Sequence, residues 1–173
     1  MIQKKIFMIG AFAVGKTSLV RRFVKSVFNE RYLTTVGVKV DKKVAHVDGQ
    51  DVTLVIWDLE GQDRYHNVRS SYFRGASGYL LVADGSNRAT VDVAADLQVF
   101  VESQIGKLPY MLLLNKADLT DSWEVAEEQE RRLSEAGVIV RRTSAKTGEG
   151  VEEAFLLLSR LMLTGYTNAQ SSE

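Results

Sequence analysis

Cysteine is absent from the 173 residues, so disulfide staples and thiolate metal centres are excluded. Its absence is compatible with the cytoplasm, which is the expected location. Neither sign of charge is in surplus: 22 Lys and Arg stand against 22 Asp and Glu. Binding to a nucleic-acid backbone calls for a basic excess, so nucleic acid is not an expected partner. Long hydrophobic runs are missing too. The first apolar run ends at Gly10, is too short to span a bilayer, and carries no signal-peptide cleavage pattern. Residue 2 is isoleucine rather than glycine, and Asn168 to Glu173 contain no cysteine. Neither N-myristoylation nor a covalent prenyl anchor is therefore expected. The only two histidines, His46 and His66, have no ligand partner at metal spacing and read as surface residues.

What is present suits a single domain. Apolar residues make up 45% of the chain, enough for one core. No internal repeat occurs. The expected organisation is one domain over residues 1–164 and a short polar tail over 165–173, in a monomer. Ile6 to Ile9 reads as a buried strand, and Leu19, Val20, Phe23, Val24 and Val27 recur at helical spacing. Val36, Val38 and Val40 suggest a strand that Val44 to Val47 continues. Asp48-Gly49 signals a hairpin, with Val52 to Trp57 returning. Tyr79 to Ala83 and Tyr110 to Leu114 resemble buried parallel strands, with a helix over Val91 to Ile105 between them. Asp121 and Glu124 suggest a capping box for a helix that Gly137 ends. Val138 to Val140 reads as a last strand. Val151 to Met162 form a helical stripe with Glu152 and Glu153 in its first turn. The alternation predicts an α/β fold: a mostly parallel six-stranded sheet with one antiparallel edge strand and helices on both faces.

Gly10-Ala11-Phe12-Ala13-Val14-Gly15-Lys16-Thr17 matches the phosphate-loop pattern G-x-x-x-x-G-K-S/T. Glycines let the backbone approach phosphate oxygens, and the following helix N-terminus adds positive potential. Ala13, Val14, Gly15, Lys16, Thr17 and Ser18 are the candidate phosphate contacts. Lys16 would reach the β- and γ-phosphates, and the Thr17 hydroxyl would bind Mg²⁺. A strand before the motif and a helix after it make a chance glycine turn a poor rival. The motif does not choose the base.

Asn115-Lys116-Ala117-Asp118 follows the strand Tyr110 to Leu114 directly. A carboxylate at Asp118 can accept from guanine N1–H and its amino group, whereas adenine would leave that carboxylate unpaired. Asn115 could tie loops together, and the stem of Lys116 could lie along the base. These four residues alone could also be an ordinary polar strand end. Ser144-Ala145-Lys146, after the last strand, weakens that alternative, because the Ala145 N–H could bond the guanine carbonyl.

With these motifs in order, the chain resembles the Ras superfamily of small GTPases, and most closely the Rab branch, from Lys4 to Met162. The matching segments are Gly10 to Thr17, Thr35, Asp58-Leu59-Glu60-Gly61-Gln62, Asn115 to Asp118 and Ser144 to Lys146. The Rab-like part is Tyr32 to Gly37, Trp57, Arg64-Tyr65-His66 and Tyr72 to Ala76. The resemblance implies a guanine-nucleotide switch that binds GTP or GDP with Mg²⁺. It places Phe28 against the guanine ring, although a core role at the end of the first helix is equally open. It makes Thr35 a second metal hydroxyl, Asp58 a metal contact through water, and Gly61 N–H a γ-phosphate contact. Gln62 would orient the attacking water, so that Gln62 and Lys16 are the catalytic candidates. The expected switch segments are Val27 to Gly37 and Leu59 to Arg74, with partners docking near Trp57 and Tyr72.

Four features depart from that pattern. Phe12 and Ala13 stand where small residues are common, and a phenyl ring could crowd Gln62. Glu60 replaces alanine or glycine. Val40 replaces an aromatic residue, and no terminal cysteine is present. Phe12 and Glu60 motivate an alternative reading, a GTP-sensing module with negligible hydrolysis. A P-loop kinase would need a basic lid and a second substrate pocket, neither of which is apparent. Trp123 reads as helix packing, and Arg131, Arg132, Arg141 and Arg142 as a solvated face.

Overall fold

The computed structural model describes residues 1–29, 35–61, 68–166 and 168. Along them run β1 (Ile2–Gly10), α1 (Lys16–Lys25), β2 (Val38–Val47), β3 (Gln50–Leu59), β4 (Gly78–Asp84), α2 (Ala89–Ile105), β5 (Tyr110–Asn115), α3 (Glu127–Glu135), β6 (Val140–Arg142) and α4 (Val151–Thr164). The six strands form one sheet in the order β2-β3-β1-β4-β5-β6. Every neighbouring pair is parallel except the β2–β3 hairpin. This is the expected α/β architecture with one antiparallel edge.

Side-chain alternation along the strands explains why both faces are covered. In β1, Ile6 and Met8 point into one core, and Phe7 and Ile9 into the other. In the first core, Leu19 and Phe23 of α1 meet Phe155 and Leu158 of α4. The rings of Phe23 and Phe155 stack with centroids 4.0 Å apart. In the second core, α2 contributes Val91, Ala94, Leu97 and Val101. The strands β4 and β5 are buried throughout, which is why their sequences are unbroken apolar runs. At the hairpin tip, Asp48 and Gly49 take positive φ, and Arg160 of α4 donates to both Asp48 oxygens at 2.9 and 3.0 Å.

Several local expectations are corrected. Val36 lies outside β2 and is exposed, and α1 stops before Val27, where Ser26 turns left-handed and caps Arg22. The capping box does not form. Asp121 sits in a short 3-10 turn, and α3 starts after Ala126 without a side-chain cap. Glu124 instead accepts from the Arg88 amide at 2.7 Å, at the start of α2. The last strand is displaced to Val140–Arg142 because the Val138 amide is used by the Leu133 carbonyl, closing α3. Trp123 packs outside any helix: a Cβ on Gly85 would lie 2.0 Å from its ring, and the Arg142 guanidinium lies 4.9 Å from the ring centroid. Arg131 and Arg132 are exposed as expected, paired with Glu128.

Candidate functional site

The sheet order reverses beside β1, with β3 on one side and β4 on the other. Such a reversal leaves a crevice beyond the carboxyl ends of the strands. Register brings Asp58 level with Met8, Gly10 level with Val82, and Asp84 level with Asn115. A cavity of about 440 Å³ opens there. The phosphate-loop residues Ala13, Gly15, Lys16, Thr17 and Ser18 line it. From the segments expected to read the base come Asn115, Lys116, Asp118, Ala145 and Lys146, and Phe28, Thr35 and Gly61 also line the cavity. Residues separated by more than a hundred positions in sequence therefore share one wall.

Gly15 has φ +99 and precedes α1, and a Cβ on it would lie 2.3 Å from Asn115 Nδ2. Only glycine fits so close a crossing. Helix α1 begins with no side-chain cap and no acidic residue in its first turn, so its amide dipoles favour an anion. Lys16 is buried, with Nζ donating to the Gly10 and Ala11 carbonyls at 3.1 and 2.8 Å. Burial lowers its pKa to about 8, and Asp58 acts in the opposite sense. A bound polyphosphate would favour the charged form.

Thr17, Thr35 and Asp58 converge on one point. The two threonine hydroxyl oxygens are 2.5 Å apart, and Thr17 Oγ1 donates to Asp58 Oδ2 at 2.6 Å. Asp58 is 1% exposed, its Oδ1 is buried without a hydrogen-bond partner, and burial raises its pKa. An orphaned carboxylate oxygen beside two hydroxyls is a hard oxygen donor set, which fits Mg²⁺. Among the described residues no group of three His, Cys, Asp or Glu could hold a softer metal.

Asn115 is the tie between loops. Its Nδ2 donates to the Val14 carbonyl at 3.0 Å, and its Oδ1 accepts from Thr143 Oγ1 at 3.1 Å and the Ala145 amide at 3.3 Å. Lys116 donates to the Ala13 carbonyl at 2.9 Å and pairs with Asp84 at 2.8 Å. Asp118 accepts from Ser144 Oγ at 2.6 Å. Val14 and Ser144 stand behind the wall: the Val14 side chain is in the core and Ser144 is fully buried. Phe28 is half-buried, packs on the core and also lines the cavity.

Asn29, Leu59 and Leu119 also line the cavity. Sequence reasoning missed them as contacts, since their only signal is adjacency to Phe28, Asp58 and Asp118. Phe12 borders the cavity as well and is 48% exposed. A Cβ on Gly61 would lie 2.6 Å from Phe12 Cα. Glu60 turns its carboxylate to the Gly37 amide. Trp57 and Tyr72 are both half-buried, with ring centroids 6.2 Å apart, and Lys5 Nζ lies 3.8 Å from the Trp57 ring centroid. Gln62, Arg64, Tyr65 and His66, and the stretch from Arg31 to Thr34, lie outside the described residues.

A family profile described as "Ras family" matches residues 5–164. "Ras-related protein Rab-4" of Dictyostelium discoideum is 38% identical over 162 residues, covering 92% of this chain and 79% of that protein. "Ras-related protein Rab-8B" of Homo sapiens is 35% identical, with 92% and 78% covered. "Ras-related protein Rab-8A" of Rattus norvegicus is 34% identical over 158 residues, with 90% and 76% covered. Among the described residues no helix is long and apolar enough to cross a membrane. The phosphate-loop segment, a cluster of hard oxygen donors and the Asp118 carboxylate lie around one crevice, and these relatives extend over nearly the whole chain. The chain thus belongs to the Ras family, as a Rab-like small GTPase that binds GTP and GDP with Mg²⁺ and hydrolyses GTP.

Proposed function

We propose that this GTPase is a two-state switch whose unaided turnover is slow. The observation that carries the reading is the convergence of Thr35 on Thr17 and Asp58. Thr35 lies outside the sheet elements, so a nucleotide-dependent contact there would order or release its segment. Thr17 and Thr35 are proposed as direct Mg²⁺ ligands and Asp58 as a contact through water. The bound ion would neutralise charge on the phosphoryl oxygens. Lys16 would reach the β- and γ-phosphates, and the amides of Ala13, Val14, Gly15 and Ser18 would surround the others. Gly61 N–H would sense the γ-phosphate, and Gln62 would orient the attacking water. At the other end Asp118 would accept from guanine, Ala145 N–H would donate to its carbonyl, and Phe28 and the stem of Lys116 would flank the ring.

Slowness follows from what precedes Thr35. Leu33 and Thr34 occupy the positions where an internal arginine could stand. An arginine finger contributes about 10³–10⁵ in rate, so turnover should rise only with an activating partner. Effectors and regulators are proposed to meet the face around Trp57 and Tyr72. The working form is proposed to be a cytoplasmic monomer, with residues 1–164 as the functional domain.

The test begins by denaturing the purified protein and identifying the released nucleotide by chromatography. Single-turnover hydrolysis then compares the unmutated protein with Gln62→Leu and Phe12→Gly. Guanine nucleotide, slow turnover and a further loss in Gln62→Leu are expected. Fast turnover that Gln62→Leu leaves unchanged would overturn the catalytic assignment. The second reading, a GTP sensor that barely hydrolyses, is favoured by Phe12 beside Gly61 at the cavity mouth. It predicts released GTP rather than GDP, and turnover that appears in Phe12→Gly.

A further inference from the structure

We propose that Arg22 is a positioning residue for guanine recognition, acting from helix α1 on the backbone of the turn at Ala145 and Lys146. The proposal rests on the reading of Ala145 N–H as a donor to the guanine 6-oxygen. Arg22 Nε donates to the Ala145 carbonyl at 2.8 Å, and Nη2 donates to the Lys146 carbonyl at 2.5 Å. The planar guanidinium fork suits two neighbouring acceptors in a way that a lysine ammonium does not. Its stem runs beside Gly148, where a Cβ would lie 3.7 Å from Arg22 Cδ.

Both gripped carbonyls belong to residues that line the cavity. A trans peptide sets its N–H antiparallel to its C=O. Holding the Ala145 carbonyl toward α1 therefore fixes the peptide that follows Ala145, and the Ala145 amide, on the other side of the same Cα, is placed relative to that fixed plane. With the Lys146 carbonyl also held, the backbone of the turn cannot rotate independently of α1. Ser144 Oγ ties the start of the turn to Asp118 at 2.6 Å, while the Ala145 amide itself is held only loosely, 3.3 Å from Asn115 Oδ1. The same helix carries Lys16 and Thr17 in its first turn, and six residues of helix span about 9 Å. Arg22 thus makes one rigid strut between the phosphate end of the site and the base end.

The experiment compares affinities for GDP and 6-thioguanosine diphosphate, in which sulfur, a weaker acceptor, replaces the 6-oxygen and the rest of the ring edge is kept. The unmutated protein should prefer GDP. Arg22→Ala should lose about fivefold to tenfold for GDP, the scale of one hydrogen bond, and much less for the thio analogue, so the preference collapses. Arg22→Lys, which can span only one carbonyl, should fall between and serves if Arg22→Ala does not fold. Equal losses for both ligands, or no loss, would overturn the role of Arg22 while leaving the Ala145 reading standing. An unmutated protein indifferent to the 6-oxygen would overturn the Ala145 reading and the proposal with it.

Discussion

Glu60 and Gly37 are joined twice: the Glu60 amide donates to the Gly37 carbonyl at 2.8 Å, and the Gly37 amide donates to Glu60 Oε2 at 3.1 Å. The first bond extends the β2–β3 ladder beyond the Val38–Leu59 pair. The second exists only because a carboxylate stands at position 60. It links the segment that carries Thr35 to the one that carries Gly61. Removing it in Glu60→Ala should speed amide exchange at Gly37 several-fold, whereas Glu60→Gln, which keeps an acceptor oxygen, should retain most of the protection. Hydrogen exchange measured at Gly37 decides the matter, and identical rates in all three proteins would mean that the side chain restrains nothing.

Gly61→Ala should leave GDP binding intact and block the GTP-dependent change. The added Cβ would meet Phe12 Cα at 2.6 Å, Phe12 N at 3.0 Å and the Ala11 carbonyl at 3.2 Å, all of them backbone atoms. The backbone of the phosphate loop has little room to yield, so Gly61 would have to retreat. Phe12→Gly should not rescue the variant, since it removes the ring and leaves those atoms in place. Comparing Trp57 fluorescence with GDP and with a non-hydrolysable GTP analogue, in proteins whose other tryptophan is replaced (Trp123→Phe), reads the change.

Asn115→Ala should destabilise the protein even without nucleotide. It leaves the Thr143 hydroxyl and the Val14 carbonyl without their partner in a buried setting, which costs about 1–3 kcal/mol per unsatisfied group. A drop in melting temperature of about 4 °C or more is expected. An unchanged melting temperature would show that water replaces the amide at no cost.

Lys5→Met tests the support of the proposed docking face. Lys5 Nζ lies over the Trp57 ring and donates to the Arg74 carbonyl at 2.8 Å. Its loss should shift Trp57 emission and leave the fold intact, because the methionine stem still covers the ring. Trp57→Ala serves as the contrast: unfolding of that variant would assign the indole to the core and not to a partner surface.

Glu124→Ala should cost about 1 kcal/mol, as loss of a helix-start cap does, seen as a fall of about 2–4 °C in melting temperature. The carboxylate holds the Arg88 amide at 2.7 Å. If α3 rather than α2 lost hydrogen-exchange protection, the expected capping box would exist in solution after all.

The structure gathers the phosphate-loop segment, Asn115 to Asp118 and Ser144 to Lys146 around one cavity. These segments stand out in the sequence because each is a short stretch at a strand end, recognisable from contiguous residue types. The central strands were legible because burial on both faces requires unbroken apolar runs. Partners distant in the chain were not legible. Asp121 and Glu124 have the spacing of a capping box, yet the donor that Glu124 meets lies 36 positions upstream. Arg22 reads as one more charge on a helix until the fold brings carbonyls 123 and 124 positions away within its reach. Leu59 and Leu119 carry no chemical signature, and only packing makes them cavity walls. Residue types and local periodicity determined the fold class and the nucleotide motifs. Tertiary structure decided which polar groups meet, because a hydrogen bond depends on distance in space and a sequence records only order along the chain.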